Sequence, residues 1–459
     1  MTRLRLLAAI SVVVAFCTST LADEPTPPPA APELTDAKTE TSDAAPKEDA
    51  KEEDAGEKFF GEGRDALFAG KYEEAIDLLK QAVAADPEKT RTSYRLYLAR
   101  AHRYAGQEDQ AGPLLKEILA VAPDHVEAGR LLAEIYAKAE KWQEILDVMK
   151  PLLKYRHDYP TYHLLAEASY HLDKHDEARR YYREAIKLNS ENARDHYQLG
   201  NICLSQNLFA RATEAYEAAL RLGIDSPVLH YKLASAYFNQ KNYFGRIRLI
   251  TVKSGEAGEI NGSWYLIEPV AGQEHRFRAA PKNSAIYHVA KAIADGLDDR
   301  PDIHLLRANI YLNARRFQKA YGMFGQLAAT VPEDDEALFY FYYAQSAFGV
   351  GKFEEYLSLL DKAIECDEEA YGATRGDAYL LVAEQFNQQG ELEKYIEYLG
   401  KAVQESPRTA SLHLKLGNAY QETRQYPLAI AQWQMVLDLE PEHAQRTQLL
   451  NLVEKFRSQ

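Results

Sequence analysis

Residues 197–223 read YQLGNICLSQNLFARATEAYEAALRLG. Gly200 sits in the middle of one amphipathic segment, Ala212 follows twelve positions later in a second, and Ala219 seven beyond that. Small residues at this spacing let two antiparallel helices approach closely, while large ones such as Tyr216 fill the gaps between neighbours. The same mark recurs on both sides, at Gly63, Ala99, Ala133, Ala166, Gly200, Ala234, Ala308, Ala344, Ala383 and Gly417, with gaps of 36, 34, 33, 34, 34, 74, 36, 39 and 34. A second small residue stands twelve positions on at Ala75, Ala111, Ala178, Ala212, Ala320 and Ala429. Several units close on a proline that cannot continue a helix, at Pro87, Pro123, Pro332, Pro407 and Pro441. Gly70-Lys71-Tyr72, Ala105-Gly106 and Gln389-Gly390 mark turns inside the units.

Residues 414–441, LKLGNAYQETRQYPLAIAQWQMVLDLEP, repeat the Leu-Gly, Tyr, Ala, aromatic and Pro order of residues 197–223. Both stretches resemble tetratricopeptide repeats. The resemblance implies an all-α superhelical solenoid of about ten helix-turn-helix units. Five units and the first helix of a sixth fall in residues 58–243, the rest of the sixth and four more in 284–441, and a capping helix in 442–459. The cap would lay Leu449, Leu450, Val453 and Phe456 over the last repeat, which a solenoid end requires. Units one, three and eight depart from the pattern, with a local shift near Gly63, Ile145 in place of Ala, and Tyr356.

The 74-residue gap holds an insertion. Ala234 and its partner Ala285 are 51 apart in place of twelve, so 39 extra residues are inserted between the two helices, at about 244–283. RIRLITVK (246–253), SWYLIEPV (263–270) and HRFRAA (275–280) read as three strands of an antiparallel flap. Three strands need a hydrophobic face or a support, so the flap should rest on a helix or a partner. Its candidate binding residues are Arg246, Arg248, Trp264, Tyr265, Arg276 and Arg278, with Lys253 and His275 adding positive charge. They suit an anionic partner, or equally a solvated face and a protected edge.

Composition bounds the function. A net charge of −15 argues against nucleic-acid binding, which needs clustered Lys and Arg. Residues 1–22 read as a secretory signal, with Arg3 and Arg5, an apolar run from Leu6 to Phe16, and Thr20-Leu21-Ala22 before the cut. The expected location is periplasmic or secreted, with no membrane-spanning segment left after cleavage. A retained anchor and a lipid on Cys17 are the competing readings, the latter weakened by the bulky Phe16. Residues 23–57 carry twelve acidic residues against three lysines and a single Leu, the pattern of a disordered acidic linker. Cys203 and Cys366 read as small buried hydrophobes.

The resemblance implies that first helices line a concave groove for an extended peptide or a partner protein. Its candidate residues are Arg100, Tyr104, Arg130, His163, Tyr170, Tyr197, Asn201, Tyr231, Phe238, Asn309, Asn313, Phe341 and Gln345. Asn can pair with both groups of a peptide backbone, and aromatics add apolar contact. The Lys and Asn pair one turn apart that clamps a terminal carboxylate in part of the family is missing, since Tyr197 precedes Asn201 and Leu305 precedes Asn309. No metal, cofactor or catalytic set is expected. His171 and His175 are a possible metal pair, but the register puts a turn between them. The expectation is a non-catalytic scaffold, or else an adaptor for an envelope enzyme or a polysaccharide or secretion machine that works through the insertion.

Overall fold

The structure is a computed structural model, and it describes residues 55–88, 90–252, 258–260, 264–270, 273–331 and 335–457. The leader reading for 1–22, Cys17 included, and most of the linker reading for 23–57 lie outside these residues, as do Lys253 and Pro332. Among the described residues, no helix is long and apolar enough to cross a membrane. The chain divides into two compact units, residues 1–240 and 241–459.

In the first unit five helical hairpins follow one another: α1 (Ala55–Phe68) with α2 (Tyr72–Ala84), α3 (Thr92–Tyr104) with α4 (Glu108–Val121), α5 (Val126–Lys138) with α6 (Trp142–Leu152), α7 (Tyr159–His171) with α8 (His175–Leu188), and α9 (Ala193–Ser205) with α10 (Phe209–Arg221). A first helix, α11 (Pro227–Asn239), ends the unit. Several first helices begin on side-chain caps: Asp158 accepts from the Thr161 N–H, Asn192 from that of Asp195, and Ser226 from that of Leu229. Each hairpin core continues into its neighbour, as where Ala133, Leu146 and Met149 pack with Leu165, Ala178 and Tyr182. This is the nearest-neighbour stacking of a repeat array.

The recurrent small residue is a contact point. A Cβ on Gly200 would lie 2.5 Å from the Tyr216 ring, one on Gly417 2.7 Å from Trp433, and one on Gly63 2.8 Å from Leu79. The facing residue is in each case sixteen positions later, on the second helix. Elsewhere alanine suffices, and Ala99, Ala133, Ala166, Ala234, Ala308, Ala344 and Ala383 are fully buried.

Seven positions after every small residue the backbone turns left-handed. Positive φ occurs at Gly70, Gly106, Glu140, Asp173, Asn207, Lys241, Arg315, Gly351, Gly390 and Arg424. The next N–H then reaches back five residues, as Lys71 N does to Ala66 O (3.0 Å) and Gln425 N to Tyr420 O (2.8 Å). This is the Schellman closure, which ends the first helix and aims the second. Only four of the ten positions carry glycine. A side chain in this conformation costs about 1–2 kcal/mol, while glycine loses about 0.5–1 kcal/mol more chain entropy on folding. Arg424→Gly should therefore stabilise the last hairpin by up to about 1 kcal/mol, the difference of those two effects. Hydrogen exchange across 410–439 would read it as slower opening; unchanged or faster opening would refute the strain.

In the second unit the insertion comes first. Four antiparallel strands, β1 (Arg248–Thr251), β2 (Glu259–Ile260), β3 (Trp264–Val270) and β4 (Gln273–Pro281), lie in the order β1-β4-β3-β2. The three strands read from the sequence are present, and the two-residue β2 adds to the β3 edge. Ala285 N donates to Asn242 O and Ile286 N to Tyr243 O, both at 3.0 Å, so the insertion leaves and rejoins the helical path at one place. That closeness lets the period resume intact. The flap is supported by its own unit: Ala279 and Ala280 are fully buried, and Tyr265 meets Tyr287 of α12 (Ala285–Ala292) edge-on at 6.0 Å.

Hairpins then resume: α13 (Pro301–Asn313) with α14 (Phe317–Leu327), α15 (Glu336–Gly349) with α16 (Phe353–Cys366), α18 (Thr374–Gln389) with α19 (Leu392–Glu405), and α20 (Ala410–Glu422) with α21 (Tyr426–Leu439). The one-turn helix α17 (Glu368–Tyr371) occupies the long spacing between Ala344 and Ala383. The final helix α22 (Arg446–Arg457) sets Leu449, Val453 and Phe456 against Trp433 and Val436. Leu450, read as a fourth capping contact, faces solvent instead. Cys366 also departs from its reading as a buried hydrophobe: it is exposed, whereas Cys203 is buried.

Candidate interaction surface

The first helices of unit one carry a ladder of polar contacts, each rung joining a helix to the next first helix. Arg100 on α3 pairs with Glu127 on α5, and Arg103 with Glu134 at 2.8 Å. Arg130 approaches the same Glu134 at 3.4 Å. Between α7 and α9, His163 Nδ1 lies 2.7 Å from Asp195 Oδ1, Arg194 Nη2 lies 3.3 Å from Glu167, and Asn192 donates to the Tyr159 hydroxyl at 2.6 Å. Between α9 and α11, the Lys232 ammonium donates to Asn201 Oδ1 at 2.9 Å and stands 4.8 Å above the Tyr197 ring. A rung joins residues about one repeat apart because neighbouring first helices lie side by side in the same rotation.

Several side chains read as ligand contacts thus already have partners. Asn201 accepts from both Lys232 and the Tyr216 hydroxyl (2.9 Å), and its amide donates to Gln198. Its role is to satisfy the buried aromatic of its own hairpin. Asn418 does the same for Trp433 Nε1 at 3.1 Å. The matching partner of Asn309 is Phe324, which has no polar tip, and Asn309 Oδ1 is buried without a hydrogen bond among the described residues. Asn313 donates to the Asn309 carbonyl.

Four of the thirteen candidates are core residues: Tyr231, Phe238, Asn309 and Phe341 are each less than 7% exposed. Phe341 packs against Tyr371 at 4.9 Å. Their helices present more than one face to neighbours, so a residue beside the small position can turn inward. Tyr170 and Gln345 are half-buried, and Tyr104 is partly exposed while stacked on Tyr72 at 5.6 Å. What the residue-by-residue reading missed is the complementary set: Glu127, Glu134, Glu167, Arg194, Asp195 and Lys232. An opposite charge 27–32 positions on, as in Arg100/Glu127 and His163/Asp195, was the available signal. His171 lies flat on Trp142 at 3.9 Å, across the turn from His175.

On the flap, Arg246, Arg248, Arg276 and Arg278 are exposed and Tyr265 is half-buried. Of Trp264 only the backbone position, paired with Pro281, is described.

His163 is the titratable centre of the ladder. Burial disfavours its charged form, but the Asp195 hydrogen bond and the negative charge of Glu167 outweigh this, with Arg194 opposing, and its pKa is raised. Because the folded value lies above the unfolded one, its stabilisation is complete below about pH 6.5. It fades as pH climbs through the raised folded value. The stability difference between the native chain and His163→Gln should accordingly shrink from pH 6 to pH 8.5. Thermal unfolding of both across that range tests it, and a widening gap would contradict the assignment.

Tetratricopeptide-repeat sequence profiles match residues 60–96, 163–227 and 197–243, and a second profile of the same description matches 102–168. The fold and these matches agree that residues 60–96 and 102–243 carry tetratricopeptide repeats. Among curated proteins it is 30% identical to human protein O-mannosyl-transferase TMTC1 over 172 residues, 36% of this chain and 19% of that protein. It is also 30% identical to the Bacillus subtilis TPR repeat-containing protein YpiA over 155 residues, 33% of this chain and 36% of that one. The matches thus span well under half the length of either relative. Similar solved structures include MamA from Desulfovibrio magneticus RS-1, at a TM-score of 0.34 and 20% identity over 37% of this chain and 96% of that one. YrrB, described as a TPR protein with an unusual peptide-binding site, reaches 0.35 and 16% over 49% and 96%.

Proposed function

We propose that the protein is a non-catalytic interaction scaffold of the cell envelope that takes an extended peptide or a partner protein along the first-helix face of residues 92–239. The observation that supports this most is the ladder itself. Its rungs join α3 to α5, α7 to α9 and α9 to α11 and mix both signs of charge with aromatic rings, and Arg100, Arg103, Arg130 and Arg194 remain only partly buried while paired. Such pairs can exchange an internal partner for a ligand carboxylate or ammonium at small net cost, so the surface selects by charge order along a chain. Export is supported by Arg3, Arg5, the apolar run to Phe16 and the small residues before Asp23.

The experiment is crosslinking capture from the native envelope with the full chain and with a Tyr197→Ala, Asn201→Ala, Lys232→Ala triple variant. Loss of specific partners with unchanged helical content is the expected result. Equal capture by the variant would remove the groove from the function. The second reading, an adaptor working through the flap, draws on exposed Arg246, Arg248 and Arg276, and deletion of 244–283 would then abolish capture instead.

A further inference from the structure

Val121, Tyr155, Leu188 and Leu222 stand at or just past the ends of the second helices α4, α6, α8 and α10, each 22 positions after the small residue of its repeat. All four are large and apolar, and they are between 39% and 58% exposed. Spaced 34, 33 and 34 positions apart, they occupy one place in four successive repeats and so form a stripe along unit one. The hairpin itself does not require an apolar side chain there. In unit two the same position, 22 after Ala308, Ala344 and Ala383, carries Thr330, Cys366 and Glu405, all exposed, and Leu439 of the last hairpin is half-buried beside the terminal helix. An exposed apolar stripe that the fold does not need marks a surface for another molecule.

Charge runs along both flanks of the stripe. Lys154, Lys187 and Arg221 come immediately before three of the four apolar residues, and Asp124, Asp158, Glu191 and Asp225 come three positions after each of the four. The chain crosses the stripe as it leaves a second helix for the next first helix, so the cations stand on its helix side and the acids on its loop side. Several already have neighbours in the chain: Lys187 pairs with Glu184 at 2.6 Å, Arg221 with Glu217 at 3.8 Å, Asp158 with Arg156 at 2.9 Å and Asp225 with His230 at 2.9 Å. The edge therefore carries two opposed rows about an apolar centre line, and no field of a single sign. Such a surface is complementary to itself.

We propose that the stripe is the contact between two copies of this chain, related by a two-fold axis that runs along it. Two like surfaces can face each other about an axis either across the stripe or along it. Across it, the stripes run antiparallel and cations lie over cations. Along it, the flanks exchange sides: each apolar residue meets its own counterpart, Lys187 of one copy faces Glu191 of the other, and Lys154 and Arg221 likewise face Asp158 and Asp225. Opposite charges in register favour the second arrangement. Exposed pairs such as Lys187 with Glu184 contribute little and exchange partners readily, so apolar contact supplies the affinity and charge the orientation. Four side chains per copy with their flanks make a contact of the smallest specific class, under about 1,200 Å² in total. A reversible dimer in the micromolar range is expected, not an obligate one. The contact uses residues outside the first-helix ladder, so its failure would leave the scaffold proposal standing.

Sedimentation equilibrium of the full chain across the micromolar range should show monomer and dimer in concentration-dependent balance. Tyr155→Ser/Leu188→Ser, at two exposed positions, should weaken the dimer about tenfold or more at unchanged helical content. Lys187→Glu should weaken it as well, and Lys187→Glu/Glu191→Lys should restore it, because the rows then meet with their signs exchanged. Leu188→Cys, placed in a Cys17→Ser/Cys366→Ser chain, should give a covalent dimer in oxidised glutathione, since an axis along the stripe brings that position onto itself and an axis across it does not. A chain monomeric throughout, a dimer indifferent to the folded serine variant, no restoration by the charge exchange, or no covalent dimer would overturn the proposal. So would a monomer that floats with phosphatidylcholine vesicles and loses them in the serine variant; the stripe would then face lipid.

Discussion

Replacing Trp433 with alanine should destabilise the C-terminal hairpin by about 3–5 kcal/mol. The indole is fully buried, its Nε1 donates to Asn418, and its ring faces Gly417, whose Cβ-free backbone allows the approach. It also contacts Phe456 of the terminal helix, with ring centres 6.2 Å apart, and Phe456 in turn stacks on Tyr426 at 4.4 Å. Truncation would leave a cavity and an unsatisfied Asn418 carbonyl, and the cap would lose its anchor. Because stability in a repeat array is set by each hairpin and its neighbours, the damage should stay local. Hydrogen exchange should show opening of residues 410–457 with residues 55–240 protected as before. Uniform loss of protection across the chain would show that the hairpins unfold as one body.

Gly200→Ala should cost about 1–3 kcal/mol through overpacking, the reverse fault. The added methyl would meet Tyr216 at 2.5 Å, and that ring has no room to yield, since it is fully buried and its hydroxyl is bonded to Asn201. A double replacement separates the clash from a simple helix effect. In the second hairpin Ala99 faces Leu115, both fully buried, so alanine opposite leucine is an arrangement this array already uses. Gly200→Ala with Tyr216→Leu should then be more stable than the sum of the single changes by about 1 kcal/mol or more. Additive costs in chemical denaturation would mean that the glycine is present for another reason.

The repeat was legible because its spacings lie within one hairpin. The gaps between small residues reappear unchanged as the gaps between left-handed turn residues, from Gly70 to Arg424. The flap was legible for the same reason: a strict period exposes any insertion, and alternating β-branched runs such as RLIT stand out among helices. The short β2 has two residues and no pattern to detect. The interaction surface was only half legible. Arg100, His163 and Tyr197 are legible one residue at a time, whereas their partners Glu127, Asp195 and Lys232 stand on the next first helix and show only when one repeat is set against the next. Tyr231, Phe238, Asn309 and Phe341 sit at positions equivalent to surface ones by count and are buried in fact.

Local spacing by itself determined the hairpins, their number, the small residues at their crossing points, the place of the insertion and the terminal cap. Backbone geometry ties those features to neighbours in the chain: 3.6 residues per helical turn and one left-handed residue per hairpin leave little freedom. Which side chains face one another across hairpins, and where the flap brings Arg278 to Arg315 and Arg316, depended on the tertiary structure. A contact between helices depends on their relative rotation and distance, which the packing of all side chains sets together and no single spacing along the sequence encodes.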